Sequence, residues 1–419
     1  YEHLYPGPNG PQHCRERGPV PAIVAFHAAV LDGARTQGAT DPLSLMTHTL
    51  TWDAERQPAG AYRYPPEDDL PGVASLWADL SLTFPVRLLW DPFERLEQLT
   101  ALSESSPVAI VWWLSDVYHR SAVGLDSFRQ QVTLWQLATQ DSARSAHLAE
   151  RIDLLSELAT REFDSRATAD VVDGWSHVHE AFKLQRRNPF RGPSRYLPTY
   201  GPVSHRWLTR PMVAFSEELT PAEESYFLPH VFAVGDEARR TNLLDLHGYP
   251  AVEAGAAYDL RSAYYDQIAA ELRASALSFA AAARAVEGKA GADLAALAKA
   301  AGLLASLWVT CRNWLEFAAL RAQGEAHPLE HMQRLAPAER ARAESYRQRL
   351  DRVMRAELDN VLAFQELLGA DREGILVRAA TPDEEDTFLL SPRLQEQLTR
   401  KREIMLAHWQ DTARLAPRA

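Results

Sequence analysis

The sequence predicts a mainly α-helical protein, a multi-helix, bundle-like chain with at most a small β element. Its C-terminal half contains long segments in which apolar residues recur at helical spacing. Several helical patterns open on a capping residue followed by proline, a pair that is typical of helix starts. These pairs are Asp41-Pro42, Asp91-Pro92, Thr220-Pro221 and Ser391-Pro392. Short apolar runs that could form strands are few.

The N-terminal half alternates helical patterns with polar loops. A proline- and glycine-rich arm occupies 1–21, and a second proline-rich loop occupies 53–72. The predicted helices here are 22–36, 92–102, 125–139, 142–162 and 168–185. The apolar run 107–115 is either a buried strand or a buried helix, because periodicity does not separate the two.

The C-terminal half has the more regular pattern. After a helix that opens at Thr220-Pro221, the predicted helices are 256–286, 291–323, 336–368 and 391–413. Residues Gly374–Ala379 are a candidate short strand. A length of 419 residues suits two domains or one large one. We divide the chain into a helical region with the proline-rich arm (1–185), a basic and aromatic loop with a connecting segment (186–255), and a long-helix region (256–419).

The composition excludes several classes of protein. The chain has 44 basic and 56 acidic residues, and its net charge of −12 gives no overall attraction for nucleic acid. We expect no apolar run of the ~18 to 20 residues that cross a bilayer. Two cysteines, Cys14 and Cys311, form no disulfide framework and indicate a reducing compartment. We therefore predict a soluble, acidic, cytoplasmic protein that binds neither nucleic acid nor membranes and that could form a homo-oligomer.

Standard catalytic and metal-binding motifs are absent. The sequence has no dinucleotide fingerprint, no phosphate-binding P-loop, no nucleophile elbow and no zinc-binding pair of histidines of the HExxH type. His327 and His331 are spaced to share a helix face, whereas His177 and His179 are not. We predict no metal site, and we expect Cys311 to be a small core residue.

The densest basic region is the loop 186–210. Its arginines alternate with aromatic residues, and guanidinium groups suit phosphate while aromatic rings suit a base or a flavin. The residues include Arg186, Arg187, Arg191, Arg195, Tyr196, Arg206 and Arg210. This pattern predicts a site for a small phosphorylated or planar ligand. The alternative is a surface loop held to an acidic protein by salt bridges.

The stretch from Trp308 to Ala336 resembles the signature helix of the flavin-dependent thymidylate synthases. In that family an arginine is followed by an aromatic residue two positions on, a phenylalanine at five and an arginine at nine, and then by a small and an acidic residue. The matching residues are Arg312, Trp314, Phe317, Arg321, Ala326 and Glu330. Upstream, Ser194-Arg195-Tyr196 is similar to the end of the family's arginine-rich motif.

The resemblance implies a protein that binds FAD and a nucleotide, and hydride transfer from reduced flavin. It implies that Arg312, Arg195 and Tyr196 bind the cofactor, and we add Arg191 of the basic loop. It implies that Arg321 is catalytic and helps to activate the pyrimidine. Arg312 and Arg321 are nine residues apart, so they face opposite sides of a straight helix. They can share a ligand only if the helix begins after Arg312 or if two subunits contribute.

Two other functions stay open at this point. Eleven tryptophans and fourteen histidines suit a helical haem- or iron-dependent oxygenase, with haem as the alternative cofactor. The absence of motifs favours a non-enzymatic helical scaffold or a subunit of a larger assembly. The sequence does not decide whether the protein is an enzyme.

Overall fold

The protein is mainly α-helical, as the sequence predicts. The computed structural model describes residues 73–77, 85–97, 109–113, 127–140, 148–187, 207–224, 256–382 and 390–418. The chain divides into two compact units, which are residues 1–79 with 97–114 and residues 80–96 with 115–419. The three-part division suggested by the sequence stays a prediction.

The first unit contains a two-stranded parallel sheet. Strand β1 is Val73–Trp77 and strand β2 is Ala109–Trp113, and the two pair in register from Val73 opposite Ala109 onward. The apolar run 107–115 therefore contains a strand and not a helix. Its β-branched and tryptophan residues are those that favour strands.

After a short helix that begins at residue 92, three longer helices follow in the second unit. They are α1 (Ser127–Gln140), α2 (Leu148–Glu162) and α3 (Thr168–Arg187). The predicted helices 125–139 and 168–185 are confirmed to within two residues at each end. α2 confirms all of 142–162 except its first six residues, which lie outside the described residues. The predicted helix 22–36 and the predicted continuation at 98–102 also lie outside them.

Two helix starts have the capping contacts that their sequences predict. The Glu94 backbone N–H donates to Asp91 Oδ1 at 3.0 Å, and the chain after Asp91 is helical. At α4 (Pro221–Glu224), the Thr220 N–H donates to Glu223 Oε2 at 2.9 Å and the Glu223 N–H donates to Thr220 Oγ1 at 3.3 Å. This reciprocal pair is a capping box, which satisfies two backbone donors at the helix start.

Five further helices follow in the second unit. They are α5 (Ala256–Ala285), α6 (Gly288–Gln323), α7 (Leu329–Arg334), α8 (Pro337–Leu368) and α9 (Leu394–Ala407). The predictions at 256–286 and 336–368 are confirmed to within one residue at each end. α6 begins three residues before the predicted start at 291.

α9 is shorter than the predicted helix 391–413. Its start is delayed by a turn, in which the Leu394 N–H donates to the Ser391 carbonyl at 3.2 Å. After α9 the chain tightens into a 3₁₀ helix over Trp409–Arg414.

Two three-residue strands, β3 (Gly324–Ala326) and β4 (Leu415–Pro417), form an antiparallel pair. The sequence does not predict them, because such short strands leave no periodic pattern. The predicted strand Gly374–Ala379 is wrong as a continuous strand: the chain makes only isolated bridges at Leu376 and Arg378.

α6 is the central helix of the second unit. It packs against α5 and α8, and α5 packs against α3. Along α6 a stripe of apolar residues is buried, and its members include Leu304, Leu307, Trp308, Cys311, Leu315 and Ala318. Cys311 is fully buried within this stripe, which confirms its predicted place in the core.

The expectation that no apolar run is long enough to cross a bilayer is wrong for α6. It contains an 18-residue window with a mean hydropathy of 1.7, so by length and composition alone it could cross a membrane. However, 72% of that window is buried inside the protein. A helix that is apolar on most sides is expected at the centre of a large core, and packing accounts for the hydropathy of α6.

α3 and α5 approach each other closely at a glycine. A Cβ atom added to Gly174 would lie 2.6 Å from Cε1 of Phe279, whose side chain is fully buried. Real Cβ atoms do not come so close to a ring carbon. The missing side chain at this position therefore provides the space that Phe279 occupies.

Candidate functional site

Arg312 and Arg321 lie on one unbroken helix, α6, and contact different neighbours. Arg312 donates to Asp266 Oδ1 at 3.2 Å and to Asn313 Oδ1 at 2.7 and 3.1 Å. Arg321 donates through Nε to the Ala214 carbonyl. One chain therefore does not bring the two arginines to a single ligand.

The other predicted site residues lie in the basic loop. Arg191, Arg195 and Tyr196 are outside the described residues, so their predicted role stays a prediction. Arg210, at the end of that loop, is described, and its side chain is buried. It is therefore not part of an open surface loop.

The C-terminal end of α6 is tied to two other elements. The Tyr346 hydroxyl of α8 donates to the Leu320 carbonyl at 2.7 Å. Gly324 lies so close to this hydroxyl that a side chain there would collide with it. The Arg418 N–H donates to the Gln323 carbonyl at 2.8 Å, next to the β3–β4 pair. These contacts hold Tyr346, the end of α6 and Arg418 together.

Three arginines lie close enough to the Tyr346 hydroxyl for their charges to act on it, and we name this group the Tyr346 cluster: Tyr346, Arg321, Arg349 and Arg418. Burial raises the pKa of Tyr346 to about 12, and the charges of the three arginines act in the opposite direction. The phenol is therefore neutral at physiological pH. Within the described part of the chain, none of the three arginines forms an ion pair with a carboxylate. Arg349 and Arg418 are exposed, and Arg321 is half-buried.

The strap, residues 207–224, runs beside this cluster. Its Phe215 ring lies between two guanidinium groups, with Arg321 at 5.0 Å and Arg414 at 4.1 Å from the ring centroid. Arg414 also makes a bidentate pair with Glu218, at 2.7 and 2.8 Å. The strap thus holds Arg321 in place through a carbonyl and an aromatic face.

At the other end of the strap, His408 contacts two carboxylates. His408 lies 3.2 Å from Glu223 of the strap and 2.8 Å from Asp411. Burial tends to lower the pKa of His408, but the bonds to Asp411 and Glu223 outweigh it and raise that pKa above the ordinary 6.5. Bonds from Thr220 and His408 lower the pKa of Glu223.

We expect the stability of the protein to depend on pH through His408. A histidine whose folded-state pKa is raised contributes fully below about pH 6.5, and its contribution is lost as the pH rises through the folded-state value. The effect should be at most about 1 kcal/mol, because the pair is partly exposed. Urea unfolding at a series of pH values between about 5.5 and 8.5 measures it.

The matched variant for this prediction is His408→Gln. It should lack the decline in unfolding free energy over that range while keeping a similar stability at the alkaline end. Glu223 acts in the opposite direction, because a carboxyl with a lowered pKa loses its contribution as the pH falls. An unchanged pH profile in His408→Gln would show that another group causes the dependence.

A second polar group is buried inside the helices. Lys401 of α9 and Glu357 of α8 are fully buried and form an ion pair. Glu357 also accepts hydrogen bonds from Thr310 at 3.0 Å and from Asn313 at 2.9 Å. All these contacts are internal, so this network stabilises the fold.

The same lysine anchors the start of the strap. Lys401 Nζ donates to the Leu208 carbonyl at 3.0 Å and to the Trp207 carbonyl at 3.3 Å. Trp314 Nε1 donates to the same Trp207 carbonyl at 2.9 Å. The ammonium group thus uses all three of its donors on Glu357 and the strap.

Only one histidine pair behaves as its spacing predicts: His177 and His179 of α3 have different neighbours, whereas His327 lies before the start of α7 and shares no helix with His331. The rings of His327 and His331 stack with centroids 4.8 Å apart. His177 contacts Glu271 at 2.7 Å, whereas His179 contacts Asp91 at 2.9 Å. Among the residues that the structure describes, no three side chains of His, Cys, Asp or Glu are arranged to hold a metal ion.

Comparison with known proteins identifies no relative. No protein-family model matches the sequence, and no curated protein or solved structure is significantly similar to it. The candidate site therefore depends on the contacts described above.

Sequence reasoning found one member of the Tyr346 cluster and missed three. The resemblance to the synthases points to Arg321, but nothing in the sequence connects it to Tyr346, Arg349 or Arg418. These residues come together only through the β3–β4 pair and the packing of α8 on α6. The one available signal is the concentration of arginines in the first half of α8, which has five arginines against three acidic residues.

Proposed function

We propose that this chain binds a phosphorylated ligand at the Tyr346 cluster, and that the ligand is a nucleotide, the class implied by the resemblance to flavin-dependent thymidylate synthases. The observation that carries the proposal is that the end of α6 brings Arg321, Tyr346 and Arg418 together, with Arg349 also near the hydroxyl, and that none of the three arginines has a carboxylate partner among the described residues. In a chain with a net charge of −12, such a local excess of positive charge is unusual.

The chemistry of the cluster suits phosphate. Guanidinium groups donate pairs of parallel hydrogen bonds to phosphate oxygens, and these are stronger than bonds between neutral groups. The neutral Tyr346 phenol does not repel an anion. The negative end of the α6 dipole helps the protein to tolerate unpaired arginines there until a ligand binds.

A flavin is a less direct fit. The resemblance assigns both Arg312 and Arg321 to the ligands, but Arg312 is engaged by Asp266 and Asn313 on another side of α6. A flavin site using both arginines would need a second subunit. We therefore derive no hydride-transfer step, and FAD binding and the catalytic role of Arg321 remain implications of the resemblance.

The proposal is tested by calorimetric titration of dUMP and of inorganic phosphate into the full chain. We expect both to bind, and Arg321→Ala to weaken binding about tenfold or more, because a hydrogen bond to a charged group contributes about 1.5–3 kcal/mol. Arg400→Ala is the control, since Arg400 is exposed and paired with Glu403; it should leave binding unchanged.

Three results would contradict the proposal. If neither dUMP nor phosphate gives a binding isotherm, the site is rejected. If Arg321→Ala and Arg400→Ala weaken binding equally, the anion is bound through the overall charge of the protein and not at a specific site. A haem band in the visible spectrum of the purified protein would favour the oxygenase alternative, whereas a flavin band would support the resemblance.

A further inference from the structure

α8 carries a row of arginines that extends beyond the Tyr346 cluster. We name Arg342, Arg349 and Arg352 the arginine row. Spacings of seven and three residues place all three on one flank of the helix. All three are exposed, and in the described part of the chain none makes an ion pair. Arg349 belongs to both the row and the cluster.

No carboxylate lies between the arginines on this flank, and Glu339 and Asp359 bound it, three residues before Arg342 and seven after Arg352. At 100° per residue, the two acidic residues between the ends of the row, Glu344 and Asp351, lie on the opposite side of the helix. Asp351 lies on the other flank, near Arg355 and Arg347. Between its two ends, the arginine row therefore carries only positive charge.

The arginine row extends from the Tyr346 cluster, and the distances between its arginines along the helix suit a chain of linked phosphates. Arg352 is three residues from Arg349, about 4.5 Å along the helix axis, and Arg342 is about 10.5 Å away in the other direction. A phosphate held by Arg321, Arg349 and Arg418 would leave the other two arginines within side-chain reach of a neighbouring phosphate.

We infer that the ligand of the Tyr346 cluster is an oligophosphate, with two or more linked phosphates that run along the arginine row. The inference rests on the proposed function, because it uses the same first phosphate site. Like charges one turn apart destabilise a helix. A ligand with several negative charges removes that repulsion, which a single phosphate at the cluster does not.

The flank favours a small ligand over a nucleic acid strand. Proteins that bind single strands combine basic grooves with aromatic rings on which bases stack. Ser345 and Ala356 on this flank offer no ring, and the ring of Tyr346, which lies between Arg342 and Arg349 in sequence, is buried. Two sources share the required chemistry, an inorganic oligophosphate and a nucleoside triphosphate.

The inference is tested by titrating orthophosphate, pyrophosphate and inorganic triphosphate into the full chain at constant ionic strength. We expect affinity to rise with each phosphate, by about tenfold in total. The double variant Arg342→Ala/Arg352→Ala should lose this rise while its affinity for orthophosphate changes less than about twofold. Arg321→Ala should weaken the binding of all three. A nucleoside triphosphate that binds more tightly than inorganic triphosphate would identify the nucleotide as the source, and equal binding would identify the inorganic chain.

The control is Arg393→Ala/Arg400→Ala, which removes two positive charges from α9 and its start. It should bind all three phosphates as the unmodified protein does. Equal affinity for orthophosphate and triphosphate would overturn the inference and leave the proposed function intact. Absence of binding to all three would overturn both. A similar loss in the control and in Arg342→Ala/Arg352→Ala would also overturn the inference, because it would show a general effect of charge.

Discussion

Replacing Lys401 with methionine is expected to lower the free energy of unfolding by about 3–5 kcal/mol. The substitution leaves Glu357 as an uncompensated charge in the core, and both side chains are fully buried. It also removes the donors to the Trp207 and Leu208 carbonyls, which hold the strap. Urea unfolding followed by tryptophan fluorescence measures the loss.

Two variants separate this charge effect from simple loss of packing. Lys183→Met breaks an exposed pair with Glu180 and should cost no more than about 1 kcal/mol. Adding Glu357→Gln to Lys401→Met removes the unpaired charge and should recover part of the stability. If Lys401→Met were as stable as Lys183→Met, the ion pair could not be the anchor that we describe.

Replacing Phe279 with alanine is the second substitution with a large expected effect, about 3–5 kcal/mol of unfolding free energy. The ring is fully buried and occupies the space above Gly174, so its removal leaves a cavity between α3 and α5. The same unfolding experiment measures the effect.

Gly174 makes this prediction specific. In the unmodified protein, Gly174→Ala should be destabilising, because its Cβ would collide with the Phe279 ring. In the Phe279→Ala background the collision is gone, and Gly174→Ala should gain up to about 1 kcal/mol from helix propensity. The sign of the effect should thus reverse between the two backgrounds. The same sign in both would mean that the close approach does not determine the choice of glycine.

The sequence predicts the helices well and their assembly poorly. The bounds of α5 and α8 follow from apolar periodicity and from capping residues, which are local signals. The Lys401–Glu357 pair joins residues 44 positions apart, and no local pattern indicates such a contact.

The candidate site shows the same limit. Arg321 and Arg418 belong to one cluster because β3 pairs with β4, and strands of three residues are too short to predict. The strap falls within the predicted loop and connecting segment, 186–255, yet Trp207 and Phe215 within it are buried. Its backbone carbonyls, which the sequence does not distinguish, provide the contacts to Lys401 and Arg321.

The anchor at Lys401 has a consequence for how this sequence can change over time. Only four of the 44 basic residues are lysine, and the other 40 are all arginine. At Lys401 a compact ammonium group meets three acceptors in a space without solvent, and a planar guanidinium group is both larger and differently shaped. The exchange of lysine for arginine, a mild change on the surface of this protein, should therefore be among the least tolerated at this position.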